Sequence, residues 1–198
     1  MTIPEQKTQL RREVQARLKT VTAAERLAAA ELVGQHVRAN PIWQSAEIVL
    51  FYAARWDELD LWPLLLEAMK QGKQVALPQY VAERDAYQAC RIQDLEGDLG
   101  VGHYGIREPR AGREIVSLKR LDLILVPGLA YSVAGVRLGR GKGYYDRMLA
   151  GASGIWCGIG HDWQFGLPVP TEAHDIRLHC IRTPKLWREF APPSTAGE

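Results

Sequence analysis

The apolar positions of this chain follow two periodicities, and their alternation predicts the fold class. In residues 5–19, Leu10, Val14 and Leu18 recur every four residues, marking one face of a helix. Thr22 followed by Glu25 is a capping-box signature that predicts a second helix reaching about residue 38. Asn40-Pro41 ends it, because the residue before a proline avoids helical geometry. Residues 46–53 (AEIVLFYA) form an apolar run broken only by Glu47 near its start, the pattern of a strand covered on both faces. The polar turn ARWDELD comes next. Asp60 is placed to cap the following helix, Pro63 is tolerated in its first turn and Gly72 stops it. Residues 74–77 then predict a short strand ahead of Pro78. A strand, helix and strand of these lengths make a βαβ unit, so the two strands should be parallel.

Residues 86–92 read as a strand, the second arm of a hairpin leaving the sheet. Residues 96–113, rich in Gly, Arg and Glu, read as a long loop containing GIREP, and loops of that length inside a domain are more often functional than idle. A helical turn is expected near 114–118, then a central buried strand at 121–126. A helix from about 142 to 150, a strand at 155–159, a loop at 162–175 and a last strand at 178–183 complete the pattern. The expected architecture is α/β: a three-layer α/β/α sandwich, Rossmann-like, with a mostly parallel central sheet. Residues 1–190 are expected to form one domain and 191–198 a disordered polar tail. Ligands in such folds sit beyond the C-terminal strand ends, where ARWDELD, GIREPR, the glycine-rich stretch after residue 126 and the 161–175 loop would meet.

Composition narrows the function classes. A net charge of +2 gives no global basic field for nucleic acid or a membrane surface, so local clusters must carry any anion recognition. Cys90, Cys157 and Cys180 are odd in number, far apart and set in apolar segments, which argues for buried thiols rather than a disulfide framework or a zinc site. No apolar run reaches the length of a membrane span and the N-terminus lacks signal-peptide character, so a cytoplasmic protein is expected. The five histidines show no paired metal spacing; His36 and His103 are expected at the surface.

The stretch that carries chemistry is LILVPGLAYSVAGVRLGRGKGYYDR, residues 123–147. A buried strand runs into Pro127-Gly128, then into a loop with Gly139, Gly141 and Gly143 among Arg137, Arg140 and Lys142. Glycines let a backbone approach an anion closely, and the cations neutralise it. Asp146 is the carboxylate placed to hold a metal. GxxxxGK[ST] fails, since Val136 stands where glycine is required and Gly143 follows Lys142. GxGxxG fails on spacing. On residue chemistry alone, the segment is either an anion loop or a tight turn with solvated arginines.

VPGLAYSVAGVRLGRGKGYYDR resembles the signature of the 5-formyltetrahydrofolate cyclo-ligase family, also called methenyltetrahydrofolate synthetases. The similarity extends along nearly the whole chain: KTQLR at 7–11, DELD at 57–60, YGIREP at 104–109 and HD at 174–175 resemble family motifs in the same order. The resemblance implies ATP- and Mg²⁺-dependent closure of 5-formyltetrahydrofolate to 5,10-methenyltetrahydrofolate, with ADP and phosphate released. It implies that Lys7, Arg11, Arg137, Leu138, Gly139, Arg140, Gly141, Lys142, Gly143, Tyr144 and Tyr145 bind ATP. Arg140 and Lys142 would neutralise charge during transfer, while Asp146 and Asp175 would bind Mg²⁺. Tyr52, Glu58 and residues 141–145 would face the folate. The implied partners are small molecules only, and the chain is expected to act as a monomer. Tyr131-Ser132 and Leu61 depart from the family pattern, where Phe-Asp and threonine are usual, which bears on the shape of the folate pocket. A reading from another class is a non-catalytic folate- or nucleotide-binding module that retains the fold.

Overall fold

The structure is a computed structural model that describes residues 1–172 and 175–190. In chain order its helices and strands are α1 (Ile3–Thr20), α2 (Ala23–Arg38), α3 (Pro41–Ser45), β1 (Ile48–Leu50), α4 (Trp62–Lys70), β2 (Gln74–Val81), β3 (Ala86–Ile92), β4 (Leu99–Val101), β5 (Arg107–Pro109), β6 (Ile115–Val116), β7 (Leu123–Pro127), β8 (Ala130–Tyr131), β9 (Arg137–Leu138), α5 (Tyr144–Leu149), β10 (Ile155–Ile159), β11 (Cys180–Arg182) and β12 (Trp187–Glu189). The capping box at Thr22 and Glu25 forms as expected, and Thr2 with Glu5 makes a second one at the start of α1. Asn40-Pro41 does more than end α2. The Asn40 side chain accepts the Ile42 N–H at 2.9 Å, and Pro41 opens the short α3, which buries Trp43 edge-on to Phe51. Asp60 accepts the Trp62 N–H at 2.9 Å, although the residue at the cap position of α4 is Leu61.

Eight strands form one sheet in the order β12-β11-β10-β7-β1-β2-β3-β6. The five central strands β11, β10, β7, β1 and β2 run parallel, and the antiparallel strands lie at its two ends. β1 and β2 are parallel, as the βαβ pattern requires. β2 is longer than expected and continues through Pro78. The Ala76 carbonyl accepts from Phe51 on the β1 side, so position 78 also faces that side, beyond the last β1 pairing at Ala76. The missing N–H of Pro78 therefore costs no ladder bond. β3 does not leave the sheet: it pairs with β2 over its whole length and then with β6. The turn expected at 114–118 is instead strand β6 followed by a 3₁₀ turn at Leu118–Arg120. The long loop at 96–113 contains the β4–β5 hairpin. The expected disordered tail at 191–198 lies outside the described residues.

Alternation along the parallel strands divides two packed faces. Val49, Phe51, Val75, Leu77, Leu123 and Leu125 join a core with α2, α3 and α4, whereas Ile48, Leu50, Ala76, Ile124 and Val126 pack with Met148 and Leu149 of α5. Helices on both sides of the sheet make the three-layer arrangement. A third cluster seats α1, through Val14 and Leu18, on the β8–β9 hairpin at Ala130 and Leu138. Asp122 fixes the register of the middle strands by accepting the N–H groups of Glu47 and Ile48 at 2.9 and 2.8 Å. All three cysteines are free and buried. Among the described residues no helix is long and apolar enough to cross a membrane.

In chain order the five parallel strands occupy spatial positions 2-1-3-4-5. The order reverses between β1 and β7, and the segments leaving their C-terminal ends part there to open a crevice.

Candidate active site

A cavity of about 330 Å³ lies at that reversal. Its floor comes from the segments leaving β1 (Tyr52, Ala53, Arg55, Glu58) and β7 (Pro127, Gly128). One wall is the glycine loop with α5, contributing Arg137, Gly139, Arg140, Lys142, Gly143, Tyr144, Tyr145 and Asp146. The facing wall is Tyr104, Ile106, Arg107 and Glu108, with Pro78 and Tyr87 from the sheet and Gln15 from α1. Three of the four loops expected to converge therefore do so. Among the described residues, the 161–175 loop contributes none to the cavity lining.

The glycine loop is held at both ends. The small β8–β9 hairpin projects Arg137 inward, where its guanidinium donates to the Pro127 carbonyl at 3.0 Å and to Asp146 at 3.1 Å. Gly143 takes φ +66° at the N-cap of α5, and Gly141 takes φ +99°, both left-handed conformations that carry strain for other residues. A Cβ on Gly141 would also lie 3.4 Å from the Arg11 guanidinium, so α1 closes directly over the loop. Arg11 donates to the Gly139 carbonyl at 3.0 Å. The helix of this region starts at Tyr144, later than the expected residue 142, because the left-handed Gly143 cannot continue a right-handed helix.

Arg140 is clamped. Its Nη2 donates to Asp57 at 2.6 Å and to Glu58 at 3.1 Å, and its Nε to Glu58 at 3.2 Å. The Asp57 and Glu58 side chains are only 4% and 12% exposed, against 27% for Arg140, so the acids form the buried side of the pair. Burial raises the Glu58 pKa, and the Arg140 charge offsets part of that rise. Tyr52 presents its ring to the cavity, but its hydroxyl is committed to the Leu59 carbonyl at 2.6 Å. Burial likewise pushes the Tyr87 phenol up to about 12, so it is a neutral hydrogen-bonding group at physiological pH.

Of the residues singled out from the sequence, Tyr52, Glu58, Arg137, Gly139, Arg140, Lys142, Gly143, Tyr144, Tyr145 and Asp146 line the cavity. Lys7, Arg11, Leu138, Gly141 and Asp175 do not. Leu138 belongs to the core beneath α1. Lys7 is buried and donates to both oxygens of Asp175, at 2.8 and 2.7 Å, and to Glu172 at 2.8 Å. Burial alone would lower its pKa, but the two carboxylates outweigh it and the net shift is upward. The Arg11 guanidinium senses both acidic positions: burial lowers its pKa, and the charges of Asp175 and Asp146 act to raise it. His174 lies outside the described residues. His36 and His103 are only partly exposed, and His103 stacks on Tyr80 at 4.0 Å.

The residues departing from the family pattern stay out of the cavity. Tyr131 is fully buried under the β10 end, its hydroxyl donating to Ile159 at 2.7 Å, and Leu61 is core. Ser132 caps its own turn by accepting the Ala134 and Val136 N–H groups. Sequence reasoning missed Arg55, Asp57, Arg107 and Glu108 as individual residues, although it placed their loops at this edge. Nothing in residue type distinguished them from solvated turn charges, and only the burial of Asp57 and Glu108 and the cavity position of Arg55 and Arg107 do so.

The 5-formyltetrahydrofolate cyclo-ligase family model matches residues 3–184. The chain is 33% identical to the mouse 5-formyltetrahydrofolate cyclo-ligase over 75% of this chain and 76% of that one. It is 32% identical to the Mycolicibacterium smegmatis 5-formyltetrahydrofolate cyclo-ligase over 92% of this chain and 95% of that one. Among solved structures, the Aquifex aeolicus 5,10-methenyltetrahydrofolate synthetase superposes with a TM-score of 0.84 at 32% identity, covering 97% of this chain and 96% of that one. By the family model and these relatives, the chain belongs to the 5-formyltetrahydrofolate cyclo-ligase family and is an enzyme, an ATP-dependent ligase of one-carbon metabolism.

Proposed function

We propose that the cavity brings the formyl group of 5-formyltetrahydrofolate against the terminal phosphate of ATP, and that residues 137–146 serve both substrates. The observation that carries this reading is the arrangement of the glycine loop. Its cations face the same cavity as the Tyr52, Tyr87, Tyr104 and Ile106 surface, so a flat ring and a polyphosphate would lie side by side.

In the proposed reaction the formyl oxygen attacks the γ-phosphorus, the bond to the β-phosphate oxygen breaks and ADP departs. N10 then attacks the activated formyl carbon and loses its proton. Phosphate leaves with the former formyl oxygen, yielding the methenyl product. Such a transfer depends on positioning and charge neutralisation rather than on a protein nucleophile. Arg140, fixed by Asp57 and Glu58, would present an immobile guanidinium to the transferring phosphoryl group. Lys142 is exposed on the same loop, and its ammonium makes no hydrogen bond among the described residues, so it is free to turn to a phosphate. Arg137 and Arg11 would complete the nucleotide side.

The donor set suits Mg²⁺ bound with nucleotide rather than a site built from protein alone. Among the described residues no three His, Cys, Asp or Glu side chains are arranged to hold a metal. Mg²⁺ commonly takes one or two carboxylates and completes its shell with phosphates and water. Asp146 has a side chain 32% exposed and spends one oxygen on Arg137, which leaves the other available. Asp175 would join it only by releasing Lys7, which would then be free to reach a phosphate. When bound, the ion supplies charge neutralisation on the phosphates.

The test is direct. Purified protein, 5-formyltetrahydrofolate and MgATP should produce the near-ultraviolet absorbance of the methenyl product, and omission of ATP should abolish it. Intact protein that never yields this absorbance would remove the reading.

A further inference from the structure

Every guanidinium group on the cavity wall has an acceptor except one. Arg137 has Pro127 and Asp146, Arg140 has Asp57 and Glu58, and Arg107 donates to the Leu95 carbonyl at 3.0 Å. Arg55 has neither a hydrogen-bond acceptor nor a carboxylate partner for its side chain among the described residues. Its Nε is nonetheless shielded from solvent, and its guanidinium lies 5.9 Å from the centre of the Tyr104 ring. Glu58, its neighbour three residues on, does not serve it. One Glu58 oxygen takes the Arg55 backbone N–H at 3.0 Å and the other is spent on Arg140. A buried donor without an acceptor is costly, and such groups in native proteins call for an explanation, which at a cavity wall a ligand can supply.

We propose that Arg55 binds a carboxylate of the glutamate tail of the reduced folate. This rests on the folate reading of the cavity given above. A guanidinium fork matches a carboxylate through two parallel N–H···O bonds, which makes arginine suited to this group. The surroundings agree. The cations proposed for the phosphates belong to the glycine loop and α1, whereas Arg55 leaves the end of β1, sets its guanidinium toward the Tyr104 ring and lines the same cavity as Ile106, an aromatic and apolar surface. In a folate the benzoyl ring is joined directly to the glutamate, so an aromatic contact beside an unpaired guanidinium reproduces the order of groups along the substrate. Arg107 stands on the same wall with its guanidinium 4.8 Å from the Trp62 ring, and adds positive charge where the tail would leave the cavity.

The experiment compares kcat/KM for 5-formyltetrahydrofolate with that for 5-formyltetrahydropteroate, which lacks the glutamate, in the wild type, Arg55→Ala and Arg55→Met. The methionine variant fills the side-chain volume without the charge and guards against a folding defect in the alanine variant. The wild type should prefer the glutamylated substrate by about 10- to 100-fold, the range expected for hydrogen bonds to a charged group. That preference should fall to within a few-fold in both variants. Equal loss on the two substrates, a rise in the KM for ATP with the preference retained, or a wild type indifferent to the glutamate would each overturn the proposal. A wild type that turns over neither substrate would instead overturn the folate reading on which it rests.

Discussion

Replacing Asp57 tests whether Arg140 depends on its buried clamp. Asp57 is 4% exposed and accepts from Arg140 Nη2 at 2.6 Å. Removing one partner of a buried ion pair commonly costs about 3–5 kcal/mol, because the remaining charge is left uncompensated. Here the loss should be smaller, since Arg140 is 27% exposed and keeps Glu58 at 3.1 and 3.2 Å. About 2 kcal/mol is the expected cost of Asp57→Ala, and for a chain of this size that lowers the melting temperature by about 4–8 °C. Asp57→Asn keeps an oxygen in place and should cost about 1 kcal/mol or less. Activity should divide the two variants more sharply. A guanidinium displaced by about 1 Å can cost about 100-fold in rate, so kcat for Asp57→Ala should fall by roughly that factor with KM for ATP changed less. Asp57→Asn should stay within about tenfold of wild type. Circular-dichroism melts and the methenyl absorbance assay read both quantities. If Asp57→Ala melts and turns over like the wild type, the clamp does not position Arg140 and the argument fails.

Three further outcomes follow from particular contacts. Arg140→Lys should lose most of its turnover despite keeping the charge, because one ammonium cannot reproduce the Nε and Nη2 contacts to Glu58 and Asp57; turnover within a few-fold of wild type would refute this. Tyr131→Phe should destabilise by about 1 kcal/mol through loss of the hydroxyl bond to Ile159, read as a shift of the urea midpoint; because Tyr131 is not on the cavity wall, KM for the folate should hold. Asp98 has its pKa lowered first by the Gln93 and Asp94 N–H groups, with Arg113 adding to them. The contribution of an acid with a depressed pKa is complete above its unfolded value and is lost as pH falls through the folded one. Asp98→Asn should therefore flatten the fall in stability below about pH 4 and cost about 1 kcal/mol near neutrality; an unchanged acid limb in pH-dependent urea melts would count against the assignment.

The sheet was legible because burial on two faces leaves a plain mark: 48–53 and 123–126 are apolar without interruption, and they became the adjacent β1 and β7. The edges were less so. β6 is two residues long and takes its place from pairing with β3, a long-range contact that local pattern does not carry. β2 passes Pro78 for the same kind of reason, since whether a proline breaks a strand depends on which neighbour its nitrogen faces. At the site, the glycine loop announced itself by composition, yet the partners that orient it did not. On residue type alone Asp57 and Glu58 read as turn acids; the resemblance singled out Glu58 only, and the burial of both against a residue more than eighty positions away is what the structure adds. Lys7 and Arg11 stand four residues apart on α1, yet the structure sends them to different places, Lys7 to Asp175 and Arg11 to the Gly139 carbonyl.

That division of partners bears on how the proposed reaction would use its cations. Arg137 and Arg140 each face a carboxylate, so their charge is already oriented and partly balanced. A group held this way needs little reorganisation when charge develops on a transferring phosphoryl group, which is the condition under which electrostatic stabilisation is most effective. Lys142 has no such hydrogen bond to break and can follow a moving phosphate, whereas redirecting Lys7 requires Asp175 and Glu172 to give up an ammonium they hold on two sides. In the proposed reading the loop therefore combines a fixed arginine with a free lysine on either side of Gly141. The glycine between them, with φ +99° and α1 closed over it, allows the chain to turn both inward within three residues.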